Sequence, residues 1–201
     1  MVQSPTGLLP HHYRGSPAGH LPRVPAPASP PALLSPLPPP LTVQRAPQGR
    51  AFCILVEWGM HVESVEQLKE EAGNFLQKLT IGEKATVVGL IGELGAGKTS
   101  FVQGVAEALG ITESVTSPTF VLEKIYQLVD APFGQLIHID AYRLDGEHEL
   151  KQLDWDTLIG NPKNLIVIEW ADRVMRALPE GTRIVTLTHS KESRDISYGS
   201  K

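Results

Sequence analysis

Cysteine is almost missing from this chain: Cys53 is the only one in 201 residues. A single thiol excludes an internal disulfide and a thiolate metal cage, and it suits a reducing cytoplasm. No apolar run approaches the ~20 residues that a membrane-spanning helix needs, so no membrane role is expected and the expected compartment is cytoplasmic. Residues 1–50 contain no Asp or Glu, while 13 of the 17 prolines and four arginines (Arg14, Arg23, Arg45, Arg50) fall there. A transit peptide is also acid-poor and Arg-bearing, but it must form an amphipathic helix, which so many prolines forbid. Residues 1–55 are therefore expected to be a disordered Pro-rich leader, with Met60 as an alternative true start.

From Glu57 onward the composition is ordinary. Removing the four leader arginines from 18 basic residues leaves 14 against 22 acidic ones, a net charge of −8 for residues 51–201. An acidic domain is a poor stand-alone binder of nucleic acid, because neutralising phosphates needs clustered Lys and Arg. Any nucleic acid would be carried by partner proteins. The expected domain, residues 56–198, is long enough for one core and not for two.

Residues 92–99 read Gly-Glu-Leu-Gly-Ala-Gly-Lys-Thr and follow an apolar run at 85–91. This is a complete phosphate-binding loop in the context it requires, a strand before and a helix after. The glycines let backbone N–H groups turn inward around phosphate oxygens, and Lys98 adds a point charge for the β- and γ-phosphates. The Thr99 hydroxyl can ligate Mg²⁺, and the following helix aims its positive end at the anion. ATP and Mg²⁺ are the expected cofactors.

Ser64, with Gln67 three residues on and apolar residues at 68, 72, 75, 76 and 79, reads as a capped amphipathic helix that stops near residues 80–82. Phe101, Val102, Val105, Ala106 and Leu109 mark a second helix, ended by Gly110. Residues 119–128 and 135–140 read as strands joined by a hairpin turn at 130–134, and 146–153 as a short acidic helix. Residues 164–169 form an apolar run suited to a central parallel strand. A short helix at about 172–177 and a last strand at 182–188 complete the pattern. Interleaved strands and helices predict an α/β fold, a three-layer sandwich of the phosphate-loop nucleoside triphosphatase type with a mixed, mainly parallel sheet.

Two carboxylates end apolar strands: Asp140 after Leu136-Ile-His-Ile and Glu169 after Leu165-Ile-Val-Ile. Ligands of open α/β sheets bind at that edge. Glu169 follows the more uniformly buried strand and takes the metal or water-positioning role, leaving Asp140 to a second metal shell or to water orientation. Lys98, Asp140 and Glu169 are thus the expected catalytic set. Ser117-Pro118-Thr119 lies where a switch segment would fall, or simply starts a strand. Arg143 and Arg194 are each able to reach phosphate or to remain on the surface. The residues assign no role to His138.

In order and spacing, residues 93–101 (Glu-Leu-Gly-Ala-Gly-Lys-Thr-Ser-Phe), 117–120 (Ser-Pro-Thr-Phe), 138–144 (His-Ile-Asp-Ala-Tyr-Arg-Leu) and 168–170 (Ile-Glu-Trp) closely resemble the TsaE family, bacterial ATPases of tRNA threonylcarbamoyladenosine biosynthesis. The resemblance covers about residues 60–198. It implies an ATPase that acts with a carbamoyl-transfer subunit and its scaffold homologue in modifying adenosine 37 of tRNAs reading ANN codons. It also implies weak hydrolysis alone, stimulated by those partners, with tRNA met only through the complex. Carried onto this chain, the loop residues Gly92, Glu93, Leu94, Gly95, Ala96, Gly97, Lys98, Thr99 and Ser100 hold the phosphates. Thr99 and Glu169 hold Mg²⁺, Asp140 is the essential carboxylate, and Trp170 adjoins the nucleotide. The family usually has Asp at the position of Glu93, a second Thr at Ser100 and a Thr at Lys69. A Gly-Arg pair corresponds to Ser193-Arg194, which makes Arg194 a nucleotide contact.

Three rivals compete with that reading. A small-molecule kinase needs an Arg-bearing lid and an acceptor pocket, for which few loops here are long enough. A GTPase needs an Asn-Lys-x-Asp segment, and Asn161-Pro-Lys-Asn164 has the wrong order and no Asp. A nucleotide-gated interaction module shades into a slow ATPase.

Overall fold

Alternation of apolar side chains with period two sorts this chain's strand residues onto two faces, and both faces are covered. The computed structural model describes residues 42–45, 51–118, 120–189 and 193–201. Among the described residues eight strands form one sheet: β1 (Thr42–Arg45), β2 (Ala51–Val62), β3 (Thr86–Ile91), β4 (Glu123–Gln127), β5 (Gln135–Asp140), β6 (Asn164–Glu169), β7 (Arg183–His189) and β8 (Arg194–Ser200). Their order is β1-β2-β8-β7-β3-β6-β5-β4. The centre, β7-β3-β6-β5, is parallel, and antiparallel pairs flank it on both sides.

On one face lie α1 (Val65–Gln77) and α2 (Lys98–Ala108). They bury Leu68, Ala72, Phe75, Phe101, Val102 and Val105 against Val88, Leu90, Leu136, Val167 and Val185 of the sheet. The two helices pack closely at Gly104, where an added Cβ would sit 2.5 Å from the Lys69 carbonyl oxygen. The other face is covered by α3 (Glu147–Leu150), α4 (Trp155–Gly160) and short 3₁₀ turns. Leu150, Trp155, Val174 and Leu178 pack there on Ile137, Ile139, Ile166, Ile168 and Ile184. This is the expected three-layer α/β sandwich.

The capped helix forms as read: the Ser64 hydroxyl accepts from the Gln67 amide, and the Gln67 side chain accepts from the Glu63 amide. Burial of all six β6 residues matches its central parallel place. Other expectations need correction. The strand expected from 119 begins only at Glu123, because Phe120 and Val121 turn outward to 85% and 68% exposure and Leu122 is left-handed at φ 65°; Thr119 itself lies outside the described residues. The short helix near 172–177 is two separate 3₁₀ turns, Ala171–Arg173 and Met175–Ala177. The acidic helix is one α-turn continued by a 3₁₀ turn, Lys151–Leu153. Residues 182–188 do not hold the last strand, since β8 follows and closes that side of the sheet.

Strand structure also begins before residue 56, where composition placed the domain start: β1 pairs with β2, and β2 pairs with β8. The expected leader otherwise lies, for residues 1–41 and 46–50, outside the described residues. No helix among the described residues is long and apolar enough to cross a membrane.

Candidate functional site

β3 ends at Ile91, and the chain makes its phosphate-loop turn before α2 begins at Lys98. Gly92 (φ 153°) and Gly97 (φ 104°) occupy backbone regions that L side chains rarely adopt. A Cβ at Gly92 would lie 2.3 Å from the Leu187 carbonyl oxygen, and one at Gly97 would lie 2.7 Å from Leu68 Cδ2. The loop is thus wedged between β7 and α1. Its first-turn N–H groups in α2 open toward the loop mouth, where a helix leaves donors unsatisfied and its dipole favours an anion. One expected amide donor is already used, because the Ala96 N–H donates to the Glu93 carbonyl at 3.2 Å within the loop, and Ala96 is 2% exposed. Leu94 stands out at the loop tip, 82% exposed.

Lys98 is 4% exposed. Its ammonium donates to the carbonyl oxygens of Gly92 and Glu93, both at 2.8 Å, and sits 3.6 Å above the centre of the Trp170 ring. Burial pushes this ammonium below the ordinary lysine range, while Glu169, Asp172 and Asp140 act against that fall. A desolvated ammonium held by two backbone carbonyls, with no carboxylate within ion-pair distance among the described residues, keeps its charge for an anionic ligand.

The Thr99 hydroxyl donates to the Glu169 carboxylate, 3.0 Å from each oxygen. Helix α2 supplies the hydroxyl and the end of β6 supplies the carboxylate, so two of the expected metal ligands meet. Glu169 Oε1 also lies 2.9 Å from Nε2 of His138, a histidine with no exposed surface. Asp140 is in register with Glu169 on the neighbouring strand. One of its oxygens accepts from the Tyr142 amide at 2.9 Å, and the other from the Ser117 hydroxyl. Asp140 therefore caps the 3₁₀ turn Ala141–Arg143 while it anchors the segment read as a switch. Among the described residues no cluster of three His, Cys, Asp or Glu side chains could cage a metal. One hydroxyl and one carboxylate beside a phosphate loop instead match the donor set of a cation shared with a phosphate ligand.

Trp170 follows Glu169 in a left-handed conformation (φ 58°), which turns its ring back across Lys98 and against Tyr142, 5.0 Å between ring centres. Asp172, in the next turn, has its carboxyl pushed above the usual range by burial, with Arg173 and Lys98 acting against this. Trp170, Asp172, Thr186 and Thr188 line a groove of about 630 Å³ with Gly92 to Leu94. Arg194 starts β8, between Val62 and His189. Its Nε is buried without a partner among the described residues and would lie 3.4 Å from a Cβ at Gly97. Arg143, the other arginine considered, lies 4.4 Å over the Phe120 ring, outside this cluster.

The structure brings Lys98, Thr99, Asp140, Glu169, Trp170 and Arg194 to one sheet edge. Reading the residues passed over His138 and Asp172. His138 shares strand parity with Asp140, and that parity was the signal placing it on the α2 face. No residue pattern marks Asp172, because its position depends on the left-handed turn at Trp170.

With this geometry in view, the family model described as "Threonylcarbamoyl adenosine biosynthesis protein TsaE" matches residues 62–196. A protein from Streptomyces coelicolor named tRNA threonylcarbamoyladenosine biosynthesis protein TsaE is 42% identical over 112 residues, covering 55% of this chain and 72% of the relative. Its Bacillus subtilis namesake is 38% identical over 126 residues, covering 61% and 76%. The crystal structure of Bacillus subtilis YdiB superposes with a TM-score of 0.58 at 27% identity, over 73% of this chain and 87% of that one. Matched through the sheet that carries the loop, the two strand-end carboxylates and Arg194, the chain belongs to the TsaE family of threonylcarbamoyladenosine biosynthesis proteins.

Proposed function

We propose that this chain is a Mg²⁺-dependent ATPase serving the threonylcarbamoyl modification of adenosine 37 in tRNAs that read ANN codons. The observation that carries the reading is the bond between the Thr99 hydroxyl and both Glu169 oxygens, beside a loop that has drawn the Lys98 ammonium inside. The names of the relatives supply the pathway.

In this reading the loop backbone and the first turn of α2 bind the phosphates, and Lys98 pairs with the β- and γ-phosphate oxygens. Thr99 and Glu169 would hold Mg²⁺, which when bound neutralises charge on those oxygens. Asp140 orients the attacking water from the end of β5, in register with Glu169 on the neighbouring strand. Trp170 covers Lys98 and keeps water from its ammonium. Arg194, whose Nε is already desolvated, takes a phosphate or ribose oxygen. Hydrolysis is favoured over transfer to a small acceptor because no inserted helical lid closes this edge among the described residues.

The partners in this proposal are a carbamoyl-transfer subunit and its scaffold homologue. They bring the tRNA, since the domain carries a net charge of −8 over residues 51–201, from 14 basic and 22 acidic side chains. Phosphate release measured with the chain alone, with each partner and with both tests the reading. Weak release alone and faster release with both partners is expected. Release indifferent to the partners, or phosphate delivered to a small acceptor, rejects it.

A further inference from the structure

His138 is the most deeply buried polar side chain at the loop edge, with no exposed surface. Its Nε2 is 2.9 Å from Glu169 Oε1, and its Nδ1 is buried with no partner among the described residues. A carboxylate accepts and does not donate, so the proton between the two belongs on Nε2. Nδ1 is then a bare acceptor in apolar surroundings, a smaller cost than an unpaired, charged donor at the same place. The ring is held by one useful bond and otherwise by packing. A leucine would fill that volume without leaving an unsatisfied nitrogen, so the imidazole is explained by what it does to Glu169.

Glu169 has a competing partner. The Lys98 ammonium is close enough for the two charges to influence each other, yet no ion pair within 4.0 Å joins them among the described residues. Instead the carboxylate is fixed from behind by His138 and faces the Thr99 hydroxyl. A free glutamate at that point would gain by swinging to the lysine, and both the cation site and the phosphate-facing charge would be lost.

We infer that His138 is a positioning residue: its Nε2–H fixes Glu169 Oε1 so that the carboxylate stays beside Thr99, ready for a divalent cation, and stays away from Lys98. This rests on the reading of Thr99 and Glu169 as the cation's protein ligands. Partners behind a metal ligand commonly set its affinity in this way.

The test titrates Mn²⁺ into the full chain in the presence of ADP and reads free Mn²⁺ by electron paramagnetic resonance. ADP affinity without metal is measured in parallel, and thermal melting checks folding. His138→Leu and His138→Asn should bind Mn²⁺ about 10- to 100-fold more weakly, with metal-free ADP affinity within about twofold of the native chain. His138→Gln, whose amide can donate at the Nε2 position, should recover most of the Mn²⁺ affinity. Native-like Mn²⁺ affinity in folded His138→Leu and His138→Asn would show that the ring only fills the core and would overturn the inference. Parallel loss of metal-free ADP affinity would overturn it too, by placing the effect on the loop. A native chain whose ADP complex takes up no Mn²⁺ would sink the cation reading itself, a different result from the other two. Nitrogen-15 NMR of the native protein needs no variant: the inference requires the proton on Nε2, and a proton found on Nδ1 with Nε2 bare refutes it.

Discussion

The two ends of the parallel sheet carry similar residue types and use them in opposite ways. At the carboxyl end, Lys98 is 4%, Asp140 3% and Glu169 2% exposed, so their charges are out of water. At the amino end, a groove of about 530 Å³ is lined by Lys78, Lys84, Thr86 and Arg183 among others. There the side chains of Lys78 and Arg183 are 55% and 33% exposed, and each has a partner: Lys78 lies 3.8 Å over the Trp58 ring, and Arg183 grips both oxygens of Glu57. The amino-end groove has its cations balanced at the surface, where they cost little and do little. The carboxyl-end charges are held in a poorly solvated place by backbone carbonyls, a hydroxyl and an aromatic ring. Such an arrangement is costly for folding and useful when a charged ligand arrives. Size does not distinguish the proposed site from a surface groove here; desolvated, convergent charge does.

The largest effect should come from removing the cation at the carboxyl end. On the proposed ATPase reading, Lys98→Ala should lower partner-stimulated hydrolysis on the order of 100- to 1,000-fold, the usual loss when one buried transition-state donor is removed. The same change at the other end, Arg183→Ala, should leave hydrolysis within about twofold and cost at most about 1 kcal/mol of stability, as exposed ion pairs do. Phosphate release and thermal melting of both variants would measure this. Equal losses of activity in the two would break the comparison, because charge at either end would then matter alike.

Next in size is a change that touches no charge. Gly92→Ala forces a side chain into a backbone conformation at φ 153° and drives its Cβ to 2.3 Å from the Leu187 carbonyl oxygen, which β7 cannot move cheaply. A loss of about 2–4 kcal/mol is expected from overpacking and backbone strain together. Urea unfolding would measure it; a variant as stable as the native chain would mean that the loop's contact with β7 is loose.

The same contrast explains what the residues reveal on reading. The loop, α1, β3, α2, β5 and β6 are legible because each local signal agrees with its tertiary place: Gly-x-x-x-x-Gly-Lys-Thr, apolar runs that end at Ile91, Asp140 and Glu169, and the Ser64 cap before α1. Asp140 and Glu169 are legible for the same reason, since both end such runs. β8 is harder. Only Ile196 and Tyr198 mark its buried face among serines, a glycine and an aspartate, and one of its two pairing partners, β2, lies far away in the chain. Residues 56, 58, 60 and 62 of β2 do alternate with polar or small neighbours, but the strand starts four residues after the last proline of the Pro-rich stretch, Pro47, which hides the signal. Arg194 depends on β8 and so could be placed only by resemblance. The left-handed turn at Trp170 has no local cause at all: neither glycine nor asparagine stands there, and packing against Lys98 and Tyr142 imposes it. What was not legible is therefore what long-range contacts decide.

The smallest effect sharpens the comparison through pH. Burial raises the Asp172 carboxyl above the usual range, and one of its oxygens has no hydrogen-bond partner among the described residues. A raised carboxyl holds its proton in the folded chain at pH values where the unfolded chain has released it. Its contribution to stability is thus fully present below the unfolded value and is lost as pH rises through the folded one. Once ionised, Asp172 is a burden on the fold. Asp172→Asn removes that burden and should raise the melting temperature at pH 7.5, by an amount worth less than about 1 kcal/mol because Lys98 and Arg173 repay part of the cost. As pH falls through the raised value the native carboxyl takes up its proton, and the advantage of the asparagine should shrink toward zero. Melting curves of both proteins from pH 4 to pH 8 would show that convergence. An advantage that grows toward acid would mean that Asp172 is stabilised as a charge, by its own backbone amide, Arg173 and Lys98 together. The carboxyl end would then resemble the amino end, with its cation already balanced by a partner.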